Sequence, residues 1–587
     1  MTPREAAYLF HEIQTLLDLH GADEFRSRAY GRAARALETA GSLDLREVIA
    51  SGNVSSIAGI GKGLAPELSE IVTSGTSSQL EELRAITSPG LLEMLKIRGL
   101  GAKKVRSIHL SLGITTLASL EEACRANRVA SLPGFGGKSQ ANILEGLEEL
   151  RRNRGRVRID VADQIATTLR DAFIEFCGVR RCQIAGRLRR GGEDFDRLSL
   201  VAVADPESLA AALRSETFIG DLRVDRDSVR GMTPEGLPVA IHCTDDQGFA
   251  IALFQHTGSS DHLMMVGIAL ERQGLVLDEQ GLHDADESIP VAAEEDIYRH
   301  AGLPFIVPEL REGIDEVPCG IEGRLPRALA IDDLRGMIHV HSTWSDGRNT
   351  IDELARYVQH LGYRYLLITD HSKAAFYANG LDEKRLKEQG REIDELNSQF
   401  DPEAFVILKG IECDILADGS LDLADDALAA LDAVIVSIHS RFDLPRQAQT
   451  ERIVRALEHP STTILGHPTG RLILGRKGYE IDHRLVIDTA ARLGAGIEIN
   501  ANPRRLDLSW RMVRYAVSKS VPIAIAPDAH ALEHFDYMRY GVMIARKGGL
   551  ASDLTINTMS PDELRGLRRT RLALSSRISN HQPSQGQ

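Results

Sequence analysis

The chain has 587 residues and a formal net charge of −15, with 26% charged and 43% hydrophobic side chains. This length exceeds what a single hydrophobic core organises, so three or four domains are expected. The sequence has no apolar run long enough to span a bilayer, no signal-peptide pattern after Met1, and no CxxC pair among its six cysteines. These features argue against a membrane protein and against a disulfide-rich secreted protein, and they predict a cytoplasmic chain.

The N-terminal region, residues 1–154, is predicted to be all-α. Apolar residues recur at helical spacing from Ala6 to Leu17 and again from Phe25 to Leu37. Three similar segments follow, each with a Gly-x-Gly turn, a nearby lysine and a helical pattern after it. Their glycines and lysines are Gly59, Gly61 and Lys62, then Gly99, Gly101, Lys103 and Lys104, then Gly134, Gly136 and Lys138.

These three segments favour contacts with the DNA backbone. A tight turn at a helix N-terminus presents backbone N–H groups to a phosphate, and a following lysine adds positive charge. One such turn often only joins two helices, but three with lysines indicate binding that reads no base sequence. The basic run from Arg151 to Arg158 begins in the same region. This part of the protein can therefore carry a basic surface although the net charge of the whole chain is negative.

The two N-terminal helices and the three helix-hairpin-helix segments resemble the N-terminal domain of family X DNA polymerases. In relatives with 5′-deoxyribose phosphate lyase activity, a Schiff-base lysine lies in the helix after the first hairpin. The position of this chain that matches it is Glu67. The resemblance therefore does not imply a lyase.

Residues 155–310 extend the resemblance to the α+β nucleotidyltransferase palm and to the thumb of the same family. The segment from Gly186 to Glu193 resembles a nucleotide-binding motif, and the segment from His256 to Ser259 resembles the Tyr/Phe-Thr-Gly-Ser turn. The resemblance implies that Arg189, Arg190 and Ser259 contact a nucleotide.

The carboxylates of polymerase chemistry are missing from the matching positions. Two-metal nucleotidyl transfer needs an Asp-x-Asp pair on one strand and a third Asp on a neighbouring strand. An ungapped alignment from Gly186 places the pair at Arg197 and Ser199 and the third position at Ala240. We therefore predict a polymerase module that binds DNA without catalysing nucleotide addition.

An active polymerase is the alternative. A three-residue deletion in the alignment would bring Asp194 and Asp196 to the positions of the pair. The alternating apolar residues Leu198, Leu200 and Ala202 favour the ungapped register, because a one-residue change of phase moves every side chain to the other face of a strand.

Residues 311–334 are predicted to be a linker, because glycines and prolines interrupt them and no sustained period is visible. The polar residues 576–587 are predicted to form a disordered tail.

The C-terminal region, residues 335–575, shows seven apolar runs separated by amphipathic helical segments such as 350–361 and 482–493. This alternation predicts a parallel (βα)7-type barrel, with its active site at the carboxyl ends of the strands. His339 and His341 are two residues apart, so on a regular strand both side chains point to the same face.

Each apolar run ends near a residue that can hold a metal ion. The candidate ligands, which would also be the catalytic residues, are His339, His341, Asp346, His371, Glu412, His439, His467, Asp528 and His530. Six imidazoles and three carboxylates suit two or three Mn, Zn or Fe ions better than Mg, which prefers oxygen ligands. Such ions attract a phosphate and acidify water, so the set indicates phosphoester hydrolysis.

These motifs, in order, resemble the PHP (polymerase and histidinol phosphatase) domain. The resemblance implies that Glu412 bridges two metal ions. It assigns one ion to His339, His341, Glu412 and Asp528, a second to Glu412, His439 and His467, and a third to Asp346, His371 and His530. Arg471 and Arg504 follow strand ends and are expected to bind substrate phosphates.

Taken together, the resemblances imply a monomeric 3′-5′ exonuclease that acts on gapped, nicked or 3′-end DNA substrates in repair. Two further alternatives are open. A PHP phosphatase that acts on a small phosphoester would not need the three hairpins. A DNA-binding adaptor without catalysis would leave the complete ligand set unexplained.

Overall fold

The structure is a computed structural model that describes residues 1–38, 43–54, 57, 59–97, 99–216, 218–278, 281–284 and 287–567. The chain divides into two compact units, Met1–Arg154 and Gly155–Gln587. The tail predicted at 576–587 lies outside the described residues. None of the helices in the described ranges combines the length and the apolar character needed to span a bilayer.

The first unit is all-α in its described residues. Its first helix begins with a capping box between Thr2 and Glu5 and ends at Gly21, which adopts a left-handed conformation. Side chains from all parts of the unit, such as Phe10, Leu68 and Ile108, form one apolar core. The helices are α1 Pro3–His20, α2 Glu24–Glu38, α3 Leu45–Ala50, α4 Ala65–Ser74, α5 Ser78–Ile86, α6 Pro89–Leu95, α7 Ala102–Leu112, α8 Leu117–Arg125 and α9 Gly137–Asn153.

The second unit begins with an α+β palm. A five-stranded sheet has the order β2-β4-β7-β6-β5, in which β4 and β7 are parallel, and β1 pairs with β3 beside it. Leu198, Leu200 and Ala202 on β4 join the main core, whereas Val201 and Val203 face a separate small core. The elements are β1 Val157–Arg158, α10 Ile159–Phe176, β2 Cys182–Ile184, α11 Gly186–Arg189, β3 Asp194–Phe195, β4 Leu198–Val203, α12 Pro206–Ser215, β5 Gly220–Val224, β6 Ser228–Met232 and β7 Pro238–Thr244.

A smaller helical layer follows the palm and is organised around a buried polar contact. His262 is fully buried and lies 2.8 Å from both Glu316 Oε1 and the Tyr298 hydroxyl. The elements are α13 Phe249–Thr257, α14 Ser260–Glu271, β8 Val276–Asp278, β9 Gly281–His283, β10 Ser288–Ile289, α15 Glu294–His300 and α16 Glu316–Ile321.

The linker prediction for residues 311–334 needs correction. This segment contains α16, and Arg311 is fully buried with its guanidinium on the Ile306 carbonyl and on Glu294. Leu329 and Leu334 belong to the main hydrophobic core. Pro318 and Gly320 lie within α16 and do not interrupt it, and the buried side chains fix the segment to the folded unit.

The C-terminal region forms the predicted barrel of seven parallel strands, which follow each other around the sheet in sequence order. A parallel bridge between Val340 and Ala529 brings the first strand next to the last, so the sheet curls back on itself. The elements are β11 Gly336–Val340, α17 Ile351–His360, β12 Tyr365–Ile368, α18 Glu383–Asn397, β13 Val406–Asp414, α19 Asp425–Ala429, β14 Ala433–Ser437, α20 Arg446–Glu458, β15 Ile464–Leu465, α21 His483–Leu493, β16 Gly496–Asn500, α22 Trp510–Ser518, β17 Ile523–Ala526 and α23 Met538–Lys547.

Candidate functional site

Glu412, near the end of β13, lies at the centre of a cluster at the carboxyl ends of the barrel strands. It is buried, and histidine rings at the carboxyl ends of four other strands approach its two carboxylate oxygens. The nearest ring nitrogens belong to His339 at 3.4 Å, His341 at 3.7 Å, His371 at 2.9 Å, His439 at 3.3 Å and His467 at 2.9 Å.

The three remaining candidates complete the cluster. Asp528 Oδ1 lies 3.3 Å from His341 Nε2. Asp346 Oδ1 lies 3.7 Å from His371 Nε2 and 3.4 Å from His530 Nε2. The structure therefore brings together all nine residues selected from the sequence.

The cluster divides into overlapping sets of side chains suited to hold metal ions. In each set, one ligand atom per residue lies within 4.8 Å of the others. Because the sets share members, they form a multi-metal site and not separate sites. The sets are His341, Asp346, His371 and His530; His339, His341 and Asp528; His339, Glu412 and His467; and His371, Glu412 and His439.

Several nitrogen and oxygen atoms of the candidate ligands are buried without a hydrogen-bond partner. They include His339 Nε2, both ring nitrogens of His341, His467 Nδ1 and Glu412 Oε2. A buried polar atom without a partner is costly, and lone pairs that converge in this way are what a divalent cation satisfies. The residues present therefore fit a group of metal ions.

The charge states of the cluster are divided between its members. Burial alone would lower the pKa of His439 and of His530, but neighbouring carboxylates raise these values to about 10 and about 9, and they raise the pKa of His339 well above its ordinary value. Burial, together with the neighbouring histidine rings, lowers the pKa of His341 to about 3. Burial alone would raise the pKa of Glu412 and of Asp528, but the surrounding histidines hold both pKa values well below their ordinary range. At neutral pH, His341 is neutral with one free nitrogen lone pair and the two carboxylates are ionised, as metal ligation requires, whereas a metal ion would displace protons from His339, His439 and His530.

The backbone directs His339 differently from the regular alternation expected for β11. The pairing of β11 with β12 is irregular between Met337 and Val340, and His339 has a φ of 64°. Asp528 is also left-handed, with a φ of 53°. Such conformations cost about 1–2 kcal/mol for residues other than glycine and concentrate at functional sites. His339 thus meets His341 through a local distortion, with ring centroids 5.3 Å apart.

Two supporting carboxylates were not selected from the sequence. Glu498 Oε2 lies 2.6 Å from His339 Nδ1, and Asp414 Oδ1 lies 3.0 Å from His439 Nδ1. Each accepts a hydrogen bond from the nitrogen that points away from Glu412, and so orients the ring. The sequence could have indicated Glu498, because Glu498 and Asn500 are two residues apart near the end of β16 and their side chains point to the same face of the strand.

The arginines expected to bind phosphate occupy different environments. Arg471 makes a two-pronged ion pair with Glu193, at 3.0 and 2.9 Å, and donates to the Arg505 and Leu506 carbonyls. Arg504 is exposed. The arginine that reaches the cluster is Arg505, whose Nε lies 3.5 Å from Asp528 Oδ2. Sequence spacing alone did not distinguish Arg505 from its neighbour.

The palm pairs β4 with β7 so that Ser199 lies opposite Ala240. Nearby on β7, the His242 ring stacks on that of His256 with centroids 3.4 Å apart. Within the described residues, no group of three His, Cys, Asp or Glu side chains suited to a metal occurs in this sheet. Asp194 lies on β3, opposite Arg158, and forms an ion pair with Arg156.

The three residues expected to contact a nucleotide make contacts within the protein. Arg189 donates to Glu294 and to the Thr257 hydroxyl, and Arg190 donates to Glu312 and to the Thr257 carbonyl. Ser259 is the N-cap of α14, and its hydroxyl accepts a hydrogen bond from the His262 N–H at 3.1 Å. A nucleotide-binding role for these residues stays a prediction.

The three Gly-x-Gly turns of the first unit share one geometry. In each turn, the residue between the two glycines donates its N–H to a carbonyl three residues earlier, at 3.0 Å. The first glycine of each turn is left-handed, with φ values of 83° at Gly59, 77° at Gly99 and 80° at Gly134. The second glycine is the N-cap of α7 and of α9, whereas α4 begins four residues after Gly61.

The lysines near these turns differ in their contacts. Lys62 is exposed, Lys103 Nζ lies 2.9 Å from Glu24, and Lys104 Nζ donates to the Gly99 carbonyl at 3.0 Å. Glu67 on α4 accepts a hydrogen bond from the Tyr30 hydroxyl at 3.3 Å.

Three parts of the chain match family models. Residues 1–77 match a helix-hairpin-helix domain, residues 91–149 match a SAM-like helix-hairpin-helix tandem, and residues 252–312 match a DNA polymerase beta thumb. These matches confirm the predicted hairpin region and the thumb.

Whole-chain similarity extends over all regions. The DNA polymerase/3′-5′ exonuclease PolX of Bacillus subtilis is 37% identical over 570 residues, which cover 95% of this chain and 98% of that protein. A probable phosphatase of Thermoanaerobacter sp. strain X514 is 30% identical over 240 residues, 38% of this chain and 89% of that protein. A crystal structure of Leishmania infantum polymerase beta covers 38% of this chain and 99% of its own, at 15% identity and a TM-score of 0.25. The extent of the first similarity shows that this chain belongs to the family of the PolX DNA polymerase/3′-5′ exonuclease.

Proposed function

We propose that the chain is a metal-dependent 3′-5′ exonuclease acting on DNA, with a palm that does not catalyse nucleotide addition. The observation that carries this proposal is the cluster around Glu412, in which overlapping sets of candidate ligands share one carboxylate. The relative named a DNA polymerase/3′-5′ exonuclease matches nearly the whole chain and supports DNA as the substrate.

In this proposal the nine candidate ligands hold two or three divalent ions, which supply positive charge for the phosphate and acidify water when bound. Glu412 would contribute negative charge to hold the ions, and Glu498 and Asp414 keep the rings of His339 and His439 oriented. Arg505 lies beside Asp528 and contributes a further positive charge for a substrate phosphate. The hairpins of the first unit hold the DNA backbone.

The loss of polymerase catalysis is supported by the side chains on the facing strands of the palm. Ser199 and Ala240 lie opposite each other, and neither is a carboxylate that could hold a metal ion. Arg197 is 77% exposed and lies 3.5 Å from Asp196. Asp194 is engaged with Arg156 on a different pair of strands.

The test uses a 5′-labelled gapped primer-template with manganese and all four nucleotides. We expect the primer to shorten with the parent protein, to stay intact with a variant that combines His339→Ala and His341→Ala, and never to lengthen. Lengthening by that variant would overturn the inactive-palm proposal, and further substitution of Asp194 and Asp196 by Ala would show whether these aspartates carry the polymerase activity.

A second candidate function is hydrolysis of a small phosphoester, because relatives named probable phosphatases match the barrel part of the chain. The two functions differ in their dependence on the hairpins. Replacing Lys62 and Lys138 with Ala should weaken DNA hydrolysis and leave hydrolysis of a small phosphate monoester unchanged. A protein that hydrolyses only the monoester would support the phosphatase.

A further inference from the structure

Two consecutive aromatic side chains, Phe376 and Tyr377, are exposed in the loop that follows the candidate ligand His371. Their exposed fractions are 85% and 64%. The two rings are nearly perpendicular, at 78°, with centroids 6.1 Å apart. Large apolar rings that remain in water are unfavourable by themselves, so such a pair next to a reactive centre indicates a ligand surface.

The loop that carries the two rings is fixed at both ends to the barrel. Leu381 N donates to the His371 carbonyl at 2.7 Å, and Ser372 N donates to the Glu412 carbonyl at 3.0 Å. Ala374 N donates to Asp422 at 2.6 Å. Because the backbone is held in this way, the rings are presented in a fixed position, and a ligand that covers them loses little free energy to ordering the loop.

The loop also lies within electrostatic reach of the cluster. Partial burial, and then the charges of Asp414, Glu412 and Asp346, raise the pKa of Tyr377 to about 12. In the same loop, the Asn379 side chain donates to the carbonyl of Trp344, two residues before the candidate ligand Asp346, at 3.1 Å.

Trp344, an aromatic residue between the candidate ligands His341 and Asp346, is less suited to hold a ligand. It is partly buried, its Nε1 donates to Glu392 at 2.8 Å, and the Arg385 guanidinium lies 5.9 Å from its ring centroid. Its ring is therefore part of the packing between the loop after β11 and α18.

We propose that Phe376 and Tyr377 form a stacking site for the base of the 3′-terminal nucleotide of DNA, and this inference rests on the proposed exonuclease function. A nucleotide combines a phosphate for the charged cluster with a flat aromatic face for the exposed rings. Every base has such a face, so the site holds the terminal nucleotide without reading its identity. A phosphoester without a base would leave both rings in water.

The experiment compares two single-stranded, 5′-labelled oligonucleotides that differ only at the 3′ end. One ends in a normal nucleotide, and the other ends in a tetrahydrofuran residue that lacks a base. We expect the parent protein to remove the normal terminal nucleotide about tenfold faster, in the range for stacking on one aromatic ring. Phe376→Ala should abolish most of this preference by slowing removal of the normal nucleotide only.

Two further variants separate stacking from simple apolar contact. Phe376→Trp keeps a flat ring and should retain the preference, whereas Phe376→Leu keeps apolar volume without a ring face and should lose it. Phe176→Leu changes an exposed aromatic residue on α10 and serves as the matched control, with the preference unchanged.

The outcomes distinguish this inference from the proposed function. A parent protein that removes both termini at equal rates would overturn the stacking site and leave the exonuclease proposal intact. Equal slowing of both substrates by Phe376→Ala would also overturn it, because the ring would then act on the loop and not on the base. A parent protein that removes neither terminus would overturn the exonuclease proposal and this inference together.

Discussion

Glu498 shows how a residue outside the proposed ligand set controls one inside it. Its carboxylate lies 2.6 Å from His339 Nδ1, and both side chains are fully buried. A hydrogen bond at Nδ1 fixes the tautomer in which Nε2 offers its lone pair to the cluster. His339 Nε2 is among the buried atoms without a hydrogen-bond partner, as expected for a nitrogen prepared to bind a metal ion.

We predict that Glu498→Gln lowers the affinity for divalent metal about 10- to 100-fold, the usual range for loss of such a supporting carboxylate. An amide nitrogen facing His339 would favour the other tautomer. Calorimetric titration of the metal-stripped protein with manganese measures the effect, and the exposed Glu403→Gln is the control. Equal affinities for parent and Glu498→Gln would contradict the role of this contact.

At the scale of single elements, the two glycines of a hairpin turn are expected to have different roles, one in folding and the other in DNA binding. Gly134 has a φ of 80°, which only glycine adopts without strain. Gly136 has an extended backbone at the N-cap of α9, and an added Cβ there would meet no atom within 4 Å. The left-handed backbone at Gly134 therefore requires a glycine. At Gly136, the absence of a side chain leaves room for another molecule at the surface of the turn.

We predict that Gly136→Ala leaves thermal stability unchanged but weakens binding to gapped duplex DNA about five- to tenfold, because the methyl group obstructs the approach of a phosphate to the helix N-terminus. Gly134→Ala should instead cost about 1–2 kcal/mol in unfolding free energy. Fluorescence anisotropy and thermal unfolding measure the two effects. Unchanged DNA affinity in Gly136→Ala would remove this hairpin from the binding surface.

The contact between β7 and α13 makes the palm sensitive to acid. Burial and then the charge of the stacked His256 lower the pKa of His242 to about 4, and burial lowers that of His256. Both rings are therefore neutral in the folded state at pH values where an unfolded histidine is protonated. This stability contribution is complete above pH 6.5 and is lost as the pH falls from about 6.5 towards about 4.

We predict that lowering the pH from 7.5 to 5 reduces the free energy of unfolding of His242→Gln by about 1–2 kcal/mol less than that of the parent. This value allows for the partial exposure of the ring. Denaturant unfolding at the two pH values measures the difference. The surface variant His360→Gln should behave like the parent. Identical pH dependence of the parent and His242→Gln would show that the pair titrates normally.

At the scale of the whole second unit, a set of ion pairs joins the palm and the helical layer to the barrel, and the charges are arranged in the same sense in each pair. Each of the following pairs has its acid on the polymerase-like side and its base on the barrel. The pairs are Glu193 with Arg471, Glu309 with Arg546, Glu312 with Lys547 and Asp315 with Arg514. The polymerase-like part thus supports one barrel loop, through Arg471, and the helices α22 and α23, even though it lacks carboxylates for its own chemistry.

We predict that Glu193→Gln destabilises the protein by about 1–3 kcal/mol, because Arg471 keeps a largely buried charge without its partner. DNA hydrolysis should also fall, because Arg471 holds the carbonyls of Arg505 and Leu506 beside the cluster. Thermal unfolding and exonuclease rates measure both effects, with the exposed Glu175→Gln as control. A double-mutant cycle with Arg471→Met that gave no coupling energy would contradict this account.

The barrel and the convergence of the candidate ligands at its strand ends were predictable because their signals are local. A β-branched run followed by a histidine or a carboxylate marks the end of a strand, and parallel strands bring such ends to one edge. His371, Glu412 and His439 follow this rule directly. The hairpins were predictable for the same reason, because Gly-x-Gly with a lysine encodes a short turn.

The tertiary structure decided what depends on contacts distant in sequence. Glu193 pairs with Arg471 across 278 positions, and no local pattern connects them. The distortion at His339 arises from the pairing of β11 with its neighbour, and the choice of Arg505 over Arg504 depends on the path of one loop. Sequence periodicity thus determined which side chains lie at the strand ends. Packing of buried charges between distant segments determined which of the remaining polar residues reach the cluster and which hold the unit together.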